Sequence, residues 1–143
     1  MTDALVAFLR ARLDDDERVA RAATEGPWRV DSEDFAEAIY DARNQVVVGG
    51  GRWGGEASVF DTTEDAIHIA RQDPARTLRE VEAARAVLDL HEEAGHRMDR
   101  AMRDADTVAY QEARTEQRAL RKVLLHEAAV HEAHLDYLEE WRP

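Results

Sequence analysis

The sequence predicts an α-rich α+β fold with an N-terminal helix, a small antiparallel β-meander and then a long helical hairpin. Three observations carry that prediction. Apolar residues return at three-four spacing in the first 23 residues and again across 74–141. Short β-type runs separated by a turn occupy residues 28–48. Between Pro74 and Trp141 there is no proline, and Gly95 is the only glycine.

The first helix, within residues 1–25, is expected to open at Thr2 as N-cap, with Leu5, Val6, Phe8, Leu9, Leu13, Val19 and Ala20 at helical spacing. Gly26-Pro27 ends it. A small sheet follows over 27–60, built from Trp28-Arg29-Val30, Ala38-Ile39-Tyr40 and Gln45 to Val48, with Asp41 to Asn44 as a turn. Gly49 to Gly55 form a glycine-rich loop around Arg52-Trp53, and Ala57 to Phe60 read as one further strand. A helix over 62–72 is expected to start from a capping box on Asp61 or Thr62. Asp73-Pro74 then restarts helix in the favoured order of N-cap and proline.

A single helix over 74–141 would run roughly 100 Å at 1.5 Å per residue, far beyond the globular norm. Its apolar seam runs through Val81, Ala84, Leu88, His91, Gly95, Met98, Met102, Ala105 and Ala109, is interrupted at Glu112 and Glu116, and resumes at Ala119, Val123, His126 and Val130. Two helices joined near residues 103–118 bury both stretches within one chain. The whole, residues 1–143, is read as a single domain.

Composition restricts the function classes. Acids outnumber bases 31 to 19, for a formal charge of −12, which repels phosphate backbones and anionic lipid; neither nucleic acid nor membrane is an expected partner. There is no cysteine, so disulfides, thiolate metal sites and cysteine nucleophiles are excluded. No signal peptide or apolar run of membrane-spanning length is found, and a cytoplasmic location is expected. Lys122 is the only lysine; the arginines show no clustering along the chain, so the bias is assigned to a GC-rich genome.

Three stretches carry a family resemblance: Gly26-Pro27-Trp28-Arg29-Val30; His68-Ile69-Ala70-Arg71 with Asp73-Pro74-Ala75-Arg76 and Arg79-Glu80-Val81-Glu82-Ala83; and Asp136-Tyr137 with Glu139-Glu140-Trp141-Arg142-Pro143. In these the chain resembles an uncharacterised family of small actinobacterial proteins, often carried on mobile elements. The resemblance implies a shared fold and no assigned activity. Members often have proline before the Asp-Tyr pair, where this chain has Leu135, and cysteines in the segment corresponding to 95–118, where it has none. Leu135 therefore lets the last helix continue.

Two histidine clusters are candidate metal sites. His91-Glu92-Glu93-Ala94-Gly95-His96 resembles the H-E-x-x-G-H zinc motif of the dipeptidyl peptidases of the third type. By that resemblance His91 and His96 would hold zinc, Glu92 would activate its water, and Glu112, Glu116 or Glu127 would complete the site. Histidines five apart lie about 140° apart on a straight helix, so both reach one ion only across a bulge or kink at Gly95. Glu127, His131 and His134 fall at i, i+4 and i+7, which places three ligands for Zn²⁺ or Ni²⁺ on one face of a continuing helix. The alternative is a partly solvated face of His, Glu and Ala.

Gly49, Gly51 and Gly54 match G-x-G-x-x-G, but strand-like residues follow where a dinucleotide site needs a helix, so a hairpin loop is expected. The two serines, Ser32 and Ser58, lie in strand-like polar surroundings, and no nucleophile elbow or Walker loop occurs. Arg52 and Trp53, flanked by glycines, are a candidate interaction surface. Trp28 and Trp141 read as structural. The function expected is a non-enzymatic protein-interaction or regulatory protein without cofactor, homodimeric through the long helices by a stripe of Met98, Met102, Ala105 and Ala109. The alternative is a small zinc-binding protein or metal-dependent hydrolase using a His/Glu cluster.

Overall fold

The computed structural model describes residues 3–31, 38–49 and 63–143. Its elements are α1 (Ala4–Ala22), β1 (Arg29–Val30), β2 (Ile39–Tyr40), β3 (Val46–Val48), α2 (Thr63–Arg71), α3 (Pro74–Arg103), α4 (Thr107–Ala129) and a short 3₁₀ turn over Glu139–Trp141. The predicted order of helix, meander and helical hairpin is the order found. The residues group into two compact units, one of Met1–Asp14 with Glu82–Pro143 and one of Asp15–Val81.

In the first unit α1 opens one residue later than Thr2 would place it. Asp3 is the cap: its Oδ1 accepts from the Leu5 amide at 3.0 Å and its carbonyl from the Ala7 amide at 2.9 Å. Leu5, Val6, Phe8, Leu9 and Leu13 are buried, as are Leu88, His91, Ala94 and Ala101 of α3 and Ala113, Leu124 and Ala128 of α4. Arg97 of α3 pairs with Glu116 of α4 at 2.5 Å, and Arg10 of α1 pairs with Asp89 and Glu92 of α3 at 3.0 and 2.9 Å.

The hairpin turns at Asp104 to Asp106, inside the interval where a break is expected. The Asp106 amide donates back to the Ala101 carbonyl at 2.9 Å and the Ala105 amide to Met102 at 3.3 Å, the paired bonds of a Schellman ending. Ala105 occupies its left-handed position at φ 55°. Asp106 then caps α4, its Oδ1 accepting from the Ala109 amide at 2.9 Å.

Two readings of the long helices are corrected here. The buried line of α4 is Ala113, Leu124 and Ala128, whereas Ala119, Val123, His126 and Val130, the expected seam, are exposed. Val123 and Leu124 stand side by side in the sequence, so the apolar pattern fits two registers, and packing selects the one through Leu124. Helix α4 also stops at Ala129 instead of continuing past Leu135. Beyond it the chain winds through turns, the His134 amide donating to His131 and the Tyr137 amide to His134, before Trp141 is buried. Aromatic packing explains the departure from helix: Phe8 meets Trp141 at 4.9 Å and Tyr137 at 6.2 Å between ring centres.

The second unit holds the meander, in order β1-β2-β3 and antiparallel throughout, with Arg29 opposite Tyr40 and Ile39 opposite Val48. Asp41 organises its turn, Oδ1 accepting from the amides of Arg43 at 2.9 Å and Gln45 at 2.8 Å, with Asn44 at φ 65°. Ala66 and Ala70 of α2 and Ile39 of β2 form the core of this unit, with Trp28, Val30, Val47 and Val48 packed against it. Trp28 precedes β1, and its indole N–H donates to the Thr24 carbonyl at 3.1 Å, in keeping with a structural role.

Candidate functional site

Arg52 and Trp53, together with the glycine loop beyond Gly49, the strand expected at Ala57 to Phe60, both serines, and the Asp61/Thr62 caps, lie outside the described residues.

The C-terminal histidine set is dispersed by the end of α4. Glu127 remains on the helix and is exposed, whereas His131 and His134 follow its last turn and no longer share a helical face with Glu127. Both imidazoles instead stand against the Phe8 ring, at 6.1 and 5.7 Å between centres. The Nδ1 of His134 accepts from the Asp136 amide at 3.1 Å, and the Arg12 guanidinium lies 2.8 Å from the same nitrogen. A lone pair so engaged is not free for a metal ion.

The residues of H-E-x-x-G-H lie on the unbroken helix α3. His91, Glu92, Gly95 and His96 all line one cavity of about 480 Å³ in the first unit, together with Asp3 and Gln117. His91 is only 5% exposed, and its Nδ1 is buried without a hydrogen-bond partner. Burial holds its pKa below the ordinary histidine value; nearby Asp3 and Glu92 oppose that shift and Arg121 adds to it. The imidazole is therefore kept neutral. Glu92 is engaged by Arg10 at 2.9 Å and Asp3 by Arg121, so both carboxylates are already neutralised. His96 is exposed, with Glu93 at 3.8 Å. Among the described residues, no group of three or more histidine, aspartate or glutamate side chains is gathered to hold a metal ion.

The second unit contains a feature that reading along the chain missed. A cleft of about 390 Å³ is lined by Arg29 from β1, Arg71 from the end of α2, and Arg76 and Arg79 from the start of α3, against Trp28 and Ile67. Three of these arginines are near one another along the sequence, and folding brings Arg29 to them. Arg71, Arg76 and Arg79 lie at i, i+5 and i+8 across the α2–α3 junction, and that spacing was the available signal once Asp73 was recognised as a cap.

A third feature is the outward stripe of α4. Ala119, Val123 and His126 are exposed, and Val130, just beyond the helix but still in the helical region of backbone space, is 77% exposed. Leu135, in the turns that follow, is 98% exposed. Met102, part of the stripe expected to mediate pairing, is also exposed, but Ala105 lies in the turn, so Met98 to Ala109 is not one helical face.

Among the described residues, no helix is long and apolar enough to cross a membrane. No curated protein and no solved structure matches the chain. A family model does match, over residues 2–143, and on that extent the chain belongs to the family of unknown function DUF6221.

Proposed function

We propose that the chain is a non-enzymatic interaction protein that pairs through the outward face of α4, and that its partner is the same face of a second copy. The supporting observation is the exposed stripe. Ala119, Val123, His126 and Val130 are spaced four, three and four residues apart, the alternation of a helix-pairing seam, and they face water while Ala113, Leu124 and Ala128 supply the buried face. A helix with two apolar faces stabilises its own fold with one and leaves the other for a partner. The small side chain at Ala119 permits close approach of a second helix, and a seam of this kind is self-complementary about a two-fold axis.

Light scattering on the purified chain tests this reading. A dimer mass is expected at high micromolar concentration, reverting to the 16.2 kDa monomer in Val123→Glu/Val130→Glu with the melting temperature of the monomer unit retained. A wild-type chain that stays monomeric under those conditions overturns self-pairing.

A further inference from the structure

We propose that the arginine-lined cleft of the Asp15–Val81 unit binds a small phosphate monoester that carries an apolar or aromatic group. Charge is the first ground. In a chain of formal charge −12, four arginines surround this one cleft, and among the described residues Asp73 is the only carboxylate lining it. Asp73 is committed elsewhere, its Oδ1 accepting from the Arg76 amide at 2.8 Å. It caps α3 and, among the described residues, forms no ion pair with the arginines of the cleft.

The second ground is which of the arginines are engaged. Arg29 lies over the Tyr40 ring at 4.9 Å and bonds to Asn44, while Arg76 pairs with Glu80 at 2.6 Å. Arg71 and Arg79 are exposed, and among the described residues their side chains form no hydrogen bond or ion pair. Like charges gathered on one cleft repel one another, a cost that an oxyanion held by two planar guanidinium forks removes. A phosphate monoester fits best: at neutral pH it carries a charge of roughly −1.5 to −2 and three acceptor oxygens.

The apolar wall gives the third ground. Trp28 is half-buried and Ile67 is 37% exposed beside the arginines, so the cleft offers carbon surface next to the cationic groups. Its volume, about 390 Å³, lies in the range of small-molecule sites. A polynucleotide would have to bring many phosphates into the field of the whole acidic chain, whereas a small monoester brings one.

Calorimetric titration of the full chain at low ionic strength, with phenyl phosphate and inorganic phosphate as probes, tests the proposal. Phenyl phosphate is expected to bind with a Kd of about 1 mM or tighter, and about tenfold tighter than inorganic phosphate. The Arg71→Gln/Arg79→Gln variant should bind phenyl phosphate about tenfold more weakly or worse, with an unchanged melting temperature because both side chains are exposed. Arg71→Lys/Arg79→Lys, which keeps the charge but loses the fork, should fall between the two. Absence of binding at about 10 mM phenyl phosphate, or equal binding by the glutamine variant, overturns the proposal. Phenyl phosphate and inorganic phosphate binding alike would overturn the apolar half of the site.

Discussion

Gly26 and the side chain of Asp73 are in contact so close that no Cβ fits between them: one built on Gly26 would stand 2.8 Å from the Asp73 carboxylate and 2.9 Å from both the amide nitrogen and the Cβ of Ala75. Two stretches that carry the family resemblance, Gly26-Pro27-Trp28 and Asp73-Pro74-Ala75, are thus parts of a single contact. Asp73 cannot yield without releasing the Arg76 amide it caps, and the Ala75 contact includes its backbone nitrogen. Gly26→Ala is therefore expected to destabilise the protein by about 1–3 kcal/mol, the usual cost of overpacking a rigid site. A urea melt checks this; a midpoint equal to wild type would show that the contact relaxes freely.

His91 gives stability a dependence on pH. Its folded pKa is lowered from 6.5, chiefly by burial, while the unfolded chain keeps the ordinary value. The unfolded state consequently binds the proton first as pH falls. The contribution of neutral His91 is complete above about pH 6.5 and is lost as pH drops below that toward the folded pKa. His91→Leu removes this component, since leucine fills the site without a proton to bind. The urea midpoint of wild type should fall more between pH 7.5 and pH 5 than that of the variant, and parallel curves would remove His91 as the cause.

Trp141 is 4% exposed and packs on Phe8 at 4.9 Å and on Tyr137 at 5.8 Å. Removing the indole leaves a cavity against α1 and strips the turns after α4 of their anchor. Trp141→Ala is expected to cost about 3 kcal/mol or more, at the large end for a single substitution. Thermal unfolding followed by far-ultraviolet dichroism measures it. A loss under about 1 kcal/mol would mean that the aromatic cluster is not a core.

The fold was legible wherever one local signal dominated. The meander followed from three short β-branched runs around the Asp41 to Asn44 turn, and the start of α3 from Asp73-Pro74. The seam of α4 was not, because the neighbours Val123 and Leu124 support two registers and only tertiary packing distinguishes them. The end of α4 was missed for a related reason. Nothing local stops the helix at Ala129, and it is Phe8, distant in sequence, that gathers His131, His134, Tyr137 and Trp141. The arginine cleft was half legible: Arg71, Arg76 and Arg79 lie close along the chain on either side of the Asp73 cap, but Arg29 and the Trp28 wall join them only in the folded chain.

The turn between α3 and α4 shows the same limit most sharply and yields the last prediction. A helix ending of this type usually places glycine at the left-handed position, and no glycine stands anywhere in 103–118, so the turn could be bracketed but not located. Ala105 holds that position at φ 55°, where a Cβ costs roughly 1–2 kcal/mol. Ala105→Gly removes this strain and in exchange makes the unfolded chain more flexible, a loss of about 0.4–1 kcal/mol. The strain is the larger quantity, so the net effect is stabilising by about 0.5–1 kcal/mol, or roughly 2–4 °C in melting temperature. Ala105 is exposed and forms no part of either core, so no packing is lost. Asp106→Ala is the converse substitution, removing the carboxylate that accepts from the Ala109 amide, and should lower stability by about 1 kcal/mol. Calorimetric scans of the two variants beside wild type should bracket it from above and below. An Ala105→Gly protein that melts at or below the wild-type temperature would show that the chain does not reverse at this residue.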